Sequence, residues 1–224
     1  MSNFISFDEG YYNLTTNGLI CTVVLLILVL ILTAILAIRW QDTGKVRARD
    51  LTITAACLAL AFVTSYIKIE WVWGGSVTLF SMFFICYVGY LYGAKLSFAA
   101  AAAYSILQFL QSGGAYMLSP FQVCCDYFFA FTALGIAGLW YKKNHGLVVG
   151  YIVACLLRGL FHTIGGQIYW LSYMPDNFPK AFAAFYSPIY NYSYILSEMI
   201  LTLLVLSLPP VKKAIARLTE YARA

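Results

Sequence analysis

Asp126 lies about two turns into an apolar run, Ser119-Pro-Phe-Gln-Val-Cys-Cys-Asp126-Tyr127-Phe-Phe. An ionised carboxyl facing lipid there would cost several kcal/mol, so the acid must face a partner or a cavity. On a second apolar run, His162 and Trp170 are eight residues apart. Regular α-helical spacing puts them within about 80° of one face and about 12 Å apart in rise. A lone histidine on an apolar face is usually a satisfied core residue; its phase with Trp170 argues for a shared wall, which Gly165 and Gly166 between them should leave open. Tyr186 and Asn191, five residues apart across Pro188, add a hydroxyl and an amide. A buried carboxyl among aromatic faces suits a cationic or amino-substituted heteroaromatic compound. The acid balances charge or accepts from an exocyclic amine, and indole and phenol rings stack or make cation–π contacts. The hydroxyl and amide then fix orientation.

The elements that position these groups follow from composition. Of 224 residues, 62% are apolar and only 10% charged, with a mean hydropathy of +0.79, far above what one soluble core requires. Apolar segments cover residues 17–39, 51–69, 76–93, 96–111, 120–141, 147–170 and 188–208, predicting an all-α integral membrane protein with seven spans of roughly 20 residues each. The first segment has no basic region before it and no small-residue cleavage site after it, so it reads as a helix and not a signal peptide. All six cysteines sit in apolar runs as small hydrophobes.

Basic residues mark alternate loops: Arg39, Lys45, Arg47 and Arg49, then Lys95, then Lys142 and Lys143, then Lys212, Lys213, Arg217 and Arg223. The positive-inside rule therefore predicts an outside N-terminus and a cytoplasmic C-terminus in a multi-pass cell-membrane protein. The net charge of +5 reflects that topology and implies no nucleic-acid partner. The segments Trp71 to Gly75, Gln111 to Tyr116 and Ser172 to Tyr186 fall on the outer face as short, adaptable lids, although aromatic residues collect at membrane interfaces whatever the function.

Other classes are excluded by what is missing. No Gly-rich phosphate loop follows a strand, so the chain does not hydrolyse ATP by itself. The last span has no lysine for a retinal Schiff base. No His-Glu-x-x-His helix and no second carboxyl clearly paired with Asp126 argue for an enzyme, and neither a metal nor a cofactor is expected. A stand-alone proton-coupled carrier using Asp126, His162 and Glu198 remains as the alternative. Glu198 and Arg158, both mid-span, are expected to form a buried pair joining two helices.

Three stretches carry a specific resemblance: Tyr116 to Gly138, Leu157-Arg-Gly-Leu-Phe-His-Thr-Ile-Gly-Gly-Gln-Ile-Tyr-Trp-Leu-Ser-Tyr-Met-Pro, and Tyr186-Ser-Pro-Ile-Tyr-Asn. They resemble the thiamine-specific substrate-binding component of energy-coupling factor (ECF) vitamin transporters, over about residues 51–208. The resemblance implies a six-helix membrane protein that captures thiamine from outside. It would dock on one membrane scaffold subunit and two cytoplasmic ATPases, and topple in the membrane during transport. It assigns ligand contacts to Asp126, Tyr127, His162, Trp170, Tyr186, Asn191 and the loop residue Tyr116. A first-loop tryptophan falls on Trp71 or Trp73, with Trp73 beside Gly74 preferred. The family usually carries glutamate where this chain has Asp126, which is one methylene shorter and pulls the carboxyl back by about 1.5 Å.

Two parts are expected: residues 1–50, an extra N-terminal transmembrane helix with a basic cytoplasmic linker, and residues 51–224, the six-helix substrate-binding domain. Ala55 and Ala59 form a small-xxx-small pair that admits a close helix partner, and the resemblance implies that this pair docks the scaffold. The run Ala99 to Ala103 is expected to pack inside the bundle.

Overall fold

The structure, a computed structural model, describes residues 3–8, 11–39, 45–114 and 117–224. Tyr116 therefore lies outside the described residues. The chain is mostly helical. An antiparallel hairpin, β1 (Ile5–Asp8) and β2 (Tyr11–Leu14), precedes α1 (Thr16–Arg39). Next come α2 (Ala48–Thr64), a second hairpin of β3 (Lys68–Glu70) and β4 (Ser76–Thr78), α3 (Ser81–Tyr92) and α4 (Ala94–Gln111). The chain ends with α5 (Pro120–Trp140), α6 (Gly146–Tyr173), α7 (Tyr186–Ser207, entered by a 3₁₀ turn over Lys180–Phe185) and α8 (Pro209–Arg223). Three helical stretches among the described residues, Pro120–Trp140, Gly146–Tyr173 and Lys180–Ser207, are long and apolar enough to cross a bilayer unaided.

Two expected spans contract. The segment 51–69 ends its helix at Thr64, and the segment 76–93 begins as a strand, because Lys68–Glu70 and Ser76–Thr78 pair across the turn Trp71–Gly75. The turn closes with Gly74 and Gly75 at φ +100° and +71°, a conformation open to glycine and costly for other residues. What remains, α3, has 12 residues and is about 18 Å long, too short for a hydrocarbon core of roughly 30 Å. It is the centre of the bundle instead: Met82, Ile85, Cys86 and Val88 are completely buried. Gly89 lets it approach α5, since a Cβ there would stand 2.6 Å from Gly138 N. A single glycine, Gly93 at φ +80°, reverses the chain into α4.

Helix starts follow local chemistry. Asp50 accepts from Arg47 N at 3.0 Å and opens α2. Ser119 caps α5 by accepting from Gln122 N at 3.0 Å, with Pro120 in the first turn. The alanine run of α4 buries Ala100, Ala101 and Ala102 but leaves Ala99 exposed. Helix α1 packs on α4 and the start of α5.

Two features were not anticipated. Helix α8 is amphipathic and folds back on the bundle, where Tyr87 Oη and Thr219 Oγ1 are 3.0 Å apart. Its spacing of Val211, Ile215, Thr219 and Ala222 is the signal for one buried face. The expected Arg158–Glu198 ion pair is also absent among the described residues. Glu198 accepts instead from Thr78 Oγ1 at 2.6 Å, Ser81 Oγ at 3.3 Å and Met82 N at 3.4 Å, because the β4–α3 junction brings three donors to it. The Arg158 guanidinium lies over the Phe131 ring, 4.6 Å from its centroid.

Candidate ligand-binding site

A cavity of about 730 Å³ opens between the β3–β4 turn, the end of α4, α5, α6 and the start of α7. Its position depends on two departures from regular helix. Helix α5 widens into a π-helical turn at Cys124–Phe129, and α6 does so at Gly166–Trp170. A π turn takes fewer degrees per residue than an α turn, so the one in α6 removes much of the phase difference expected between His162 and Trp170.

Asp126 is the focus. Its Oδ2 accepts from Gln122 Nε2 at 2.5 Å and from Trp170 Nε1 at 3.0 Å, while Oδ1 stands 3.5 Å from His162 Nδ1. The acid is thus held from three sides, by its own helix and by both ends of the α6 wall. The imidazole sits edge-on between Phe131 and Tyr194, at centroid distances of 6.3 and 6.2 Å. Its Nε2 is buried without a hydrogen-bond partner.

Asp126, Tyr127, His162, Trp170, Tyr186, Asn191 and Trp73 all line this one cavity. Trp71 does not; it packs against the main core, because the tight turn points the two tryptophans differently. Gly165 and Gly166 do not leave the wall open as expected. They let neighbouring helices touch it: a Cβ on Gly165 would lie 2.9 Å from Asp126 Oδ1, and one on Gly166 would strike Ser187 Oγ. The orienting groups are themselves anchored. Tyr186 Oη donates to Trp73 O at 3.2 Å, tying α7 to the hairpin. Asn191 Nδ2 donates to Ser187 O at 2.9 Å and His162 O at 3.2 Å, and its Oδ1 accepts from Tyr194 Oη at 3.1 Å. That oxygen keeps a second lone pair. Ala55 and Ala59 are exposed on α2 and take no part in the cavity.

Sequence reasoning missed Gln122, Phe131, Arg158, Tyr190 and Tyr194, which also line the cavity. Tyr186, Tyr190 and Tyr194 recur every four residues, a stripe on one helix face that was legible. Gln122 precedes Asp126 by four residues, the same signal. Arg158 stood out as a mid-span charge but was assigned to a pair with Glu198, and Phe131 carried no comparable mark.

A helical membrane protein with an acid-centred, aromatic-lined cavity at one end belongs to the class that binds and moves small organic solutes. Residues 51–217 match the family described as Thiamine transporter protein (Thia_YuaJ), and the chain belongs to that family. Its members are transporters, not enzymes. The thiamine transporter ThiT of Bacillus subtilis (strain 168) is 26% identical over 181 residues, covering 75% of this chain and 92% of the relative. A solved structure of ThiT from Listeria monocytogenes shares the fold with a TM-score of 0.60 at 22% identity, covering 70% of this chain and 91% of that one.

Proposed function

We propose that this protein captures thiamine at the outer face of the cell membrane as the substrate-binding component of an ECF-type transporter. The observation that carries the reading is the Asp126 carboxyl, fixed by Gln122, Trp170 and His162 inside a ring-lined cavity. Thiamine combines an aminopyrimidine with a cationic thiazolium ring, and both ask for an acid beside aromatic faces. Asp126 complements the amino-substituted or cationic region, while Trp170, Tyr127 and Trp73 offer ring faces. His162, Tyr186 and Asn191 orient the ligand, and the resemblance adds Tyr116 as a further ligand contact. The cavity is large enough for a compound of this size.

In this reading residues 51–224 form the binding domain and residues 1–50 an added membrane helix and linker. The N-terminus lies outside and the C-terminus in the cytoplasm. A scaffold subunit with two cytoplasmic ATPases completes the transporter, docking on the exposed Ala55–Ala59 face of α2. The test of binding is quenching of intrinsic tryptophan fluorescence by thiamine. The expected result is saturable quenching in the wild type and little in Asp126→Ala; no quenching in the wild type refutes the assignment. Orientation is checked by labelling Gly10→Cys, which should react with an impermeant external reagent.

The acid–imidazole contact between Asp126 and His162 also suits a stand-alone proton-coupled carrier. Uptake by reconstituted vesicles separates the two readings: dependence on ATP and the scaffold supports the ECF assembly, and uptake driven by a pH gradient alone supports the carrier.

A further inference from the structure

A second crevice, of about 200 Å³, lies where the segment leading into α2, the α3–α4 junction, the end of α5 and the end of α8 meet. Helix α2 runs from this crevice toward the hairpin that borders the main cavity, so its 17 residues separate the two sites by about 25 Å.

Four cations, Lys45, Arg47, Lys142 and Arg223, line the crevice with one carboxylate, Asp50. Arg47 occupies that carboxylate, its Nη2 standing 3.0 Å from Asp50 Oδ1. Among the described residues, Lys45, Lys142 and Arg223 have no acidic partner within 4.0 Å. Arg223 is held rigidly: its Nη2 donates to Tyr90 O at 2.5 Å, and its guanidinium lies 4.5 Å from the Tyr90 ring centroid and 5.5 Å from that of Tyr141. The Arg223 Nε is nevertheless buried without a partner. So is the hydroxyl of Tyr92, a residue only 7% exposed that also lines the crevice. Buried donors left unmet are costly and rare, and here two of them join two ammonium groups without an acidic partner, that of Lys142 lying 4.9 Å from the Tyr141 ring centroid, at one small polar hollow.

We propose that this crevice binds a phosphate group, carried by an anionic phospholipid or by a free phosphate ion. Phosphate oxygens meet the pattern: they accept several charge-assisted hydrogen bonds at once and tolerate an arginine stacked on aromatic rings. In the orientation proposed above the crevice faces the inner leaflet, where anionic headgroups attract basic groups. Binding itself does not depend on that orientation or on thiamine.

The full-length protein is placed in nanodiscs of phosphatidylcholine, with and without phosphatidylglycerol, and its unfolding temperature is measured. A parallel arm adds inorganic phosphate in place of chloride at matched ionic strength to the phosphatidylcholine discs. Stabilisation in the phosphatidylglycerol arm identifies a lipid site, and stabilisation in the phosphate arm a free-anion site. Lys45 and Lys142 are exposed, so the double variant Lys45→Gln/Lys142→Gln should fold normally and bind about tenfold more weakly. Tyr92→Phe should also weaken the effect, while Lys212→Gln/Lys213→Gln, removing equal charge outside the crevice, should retain it. No stabilisation in either arm overturns the proposal. Equal loss in the Lys212/Lys213 control overturns it too, reducing the effect to general surface charge. Thiamine quenching in every variant reports separately on the main cavity.

Discussion

The indole of Trp170 donates to Asp126 Oδ2 at 3.0 Å, and each residue belongs to a π-helical turn of its own helix. The contact joins α5 to α6 at the point where both backbones leave regular α geometry. A hydrogen bond to a charged group contributes more than a neutral one, so the acid and the tryptophan orient each other before a ligand arrives. Such preorganisation lowers the ordering cost of binding.

Asp126→Asn tests the charge apart from the shape. The amide still accepts from Trp170 but cannot complement a cation, so thiamine affinity should fall about tenfold to a hundredfold with the unfolding temperature little changed. Calorimetric titration reads the first quantity and a thermal melt the second. Asp126→Glu should keep binding within about tenfold, since one methylene is the only addition.

Gly165→Ala should damage the same centre from the opposite wall. The new Cβ would lie 2.9 Å from Asp126 Oδ1 and 3.0 Å from Cys125 Cβ. Overpacking of this kind costs about 1–3 kcal/mol, and displacement of the carboxyl should weaken thiamine binding beyond what the melting shift alone explains. Wild-type affinity in this variant would show that the acid does not need its observed place.

Glu198→Ala should be mainly a stability defect. The side chain is 2% exposed and serves the donors of Thr78, Ser81 and Met82, and each buried donor left unmet costs about 1–3 kcal/mol. Glu198→Gln keeps an acceptor and should melt closer to the wild type. A proton-coupled role predicts the same folding but a different uptake, with Glu198→Gln folding normally and abolishing transport.

Gly75→Ala probes the hairpin over the cavity. With φ at +71° and a Cβ position 2.8 Å from the Tyr194 ring, alanine must strain the turn and push on α7. The cost should be about 1 kcal/mol or more. Stopped-flow displacement should show faster thiamine release, because the strained turn closes less firmly.

Much of the architecture was readable from hydropathy alone. Three long apolar stretches contain α5, α6 and α7, since a membrane segment must be continuous and apolar to satisfy its backbone inside lipid. The polar exceptions within them, Asp126, His162 and Asn191, were legible for the same reason: a group so costly to bury stands out against its neighbours. Hydropathy failed at Lys68–Glu70 and Ser76–Thr78, where Ile69, Val77 and Thr78 look like span ends but pair as strands. It failed again at Pro209–Arg223, whose apolar face is diluted by charge.

The sequence by itself determined that a carboxyl, an imidazole, an indole and an amide sit in apolar helices, because their identity and burial cost are local properties. It could not determine that Asp126 takes Gln122 and Trp170 while Glu198 takes Thr78 and Ser81 rather than Arg158. Those choices depend on two widened helical turns and on glycines that admit a neighbouring helix. Hydrogen-bond partners are selected by distances of a few tenths of an ångström, which only the packed helices set.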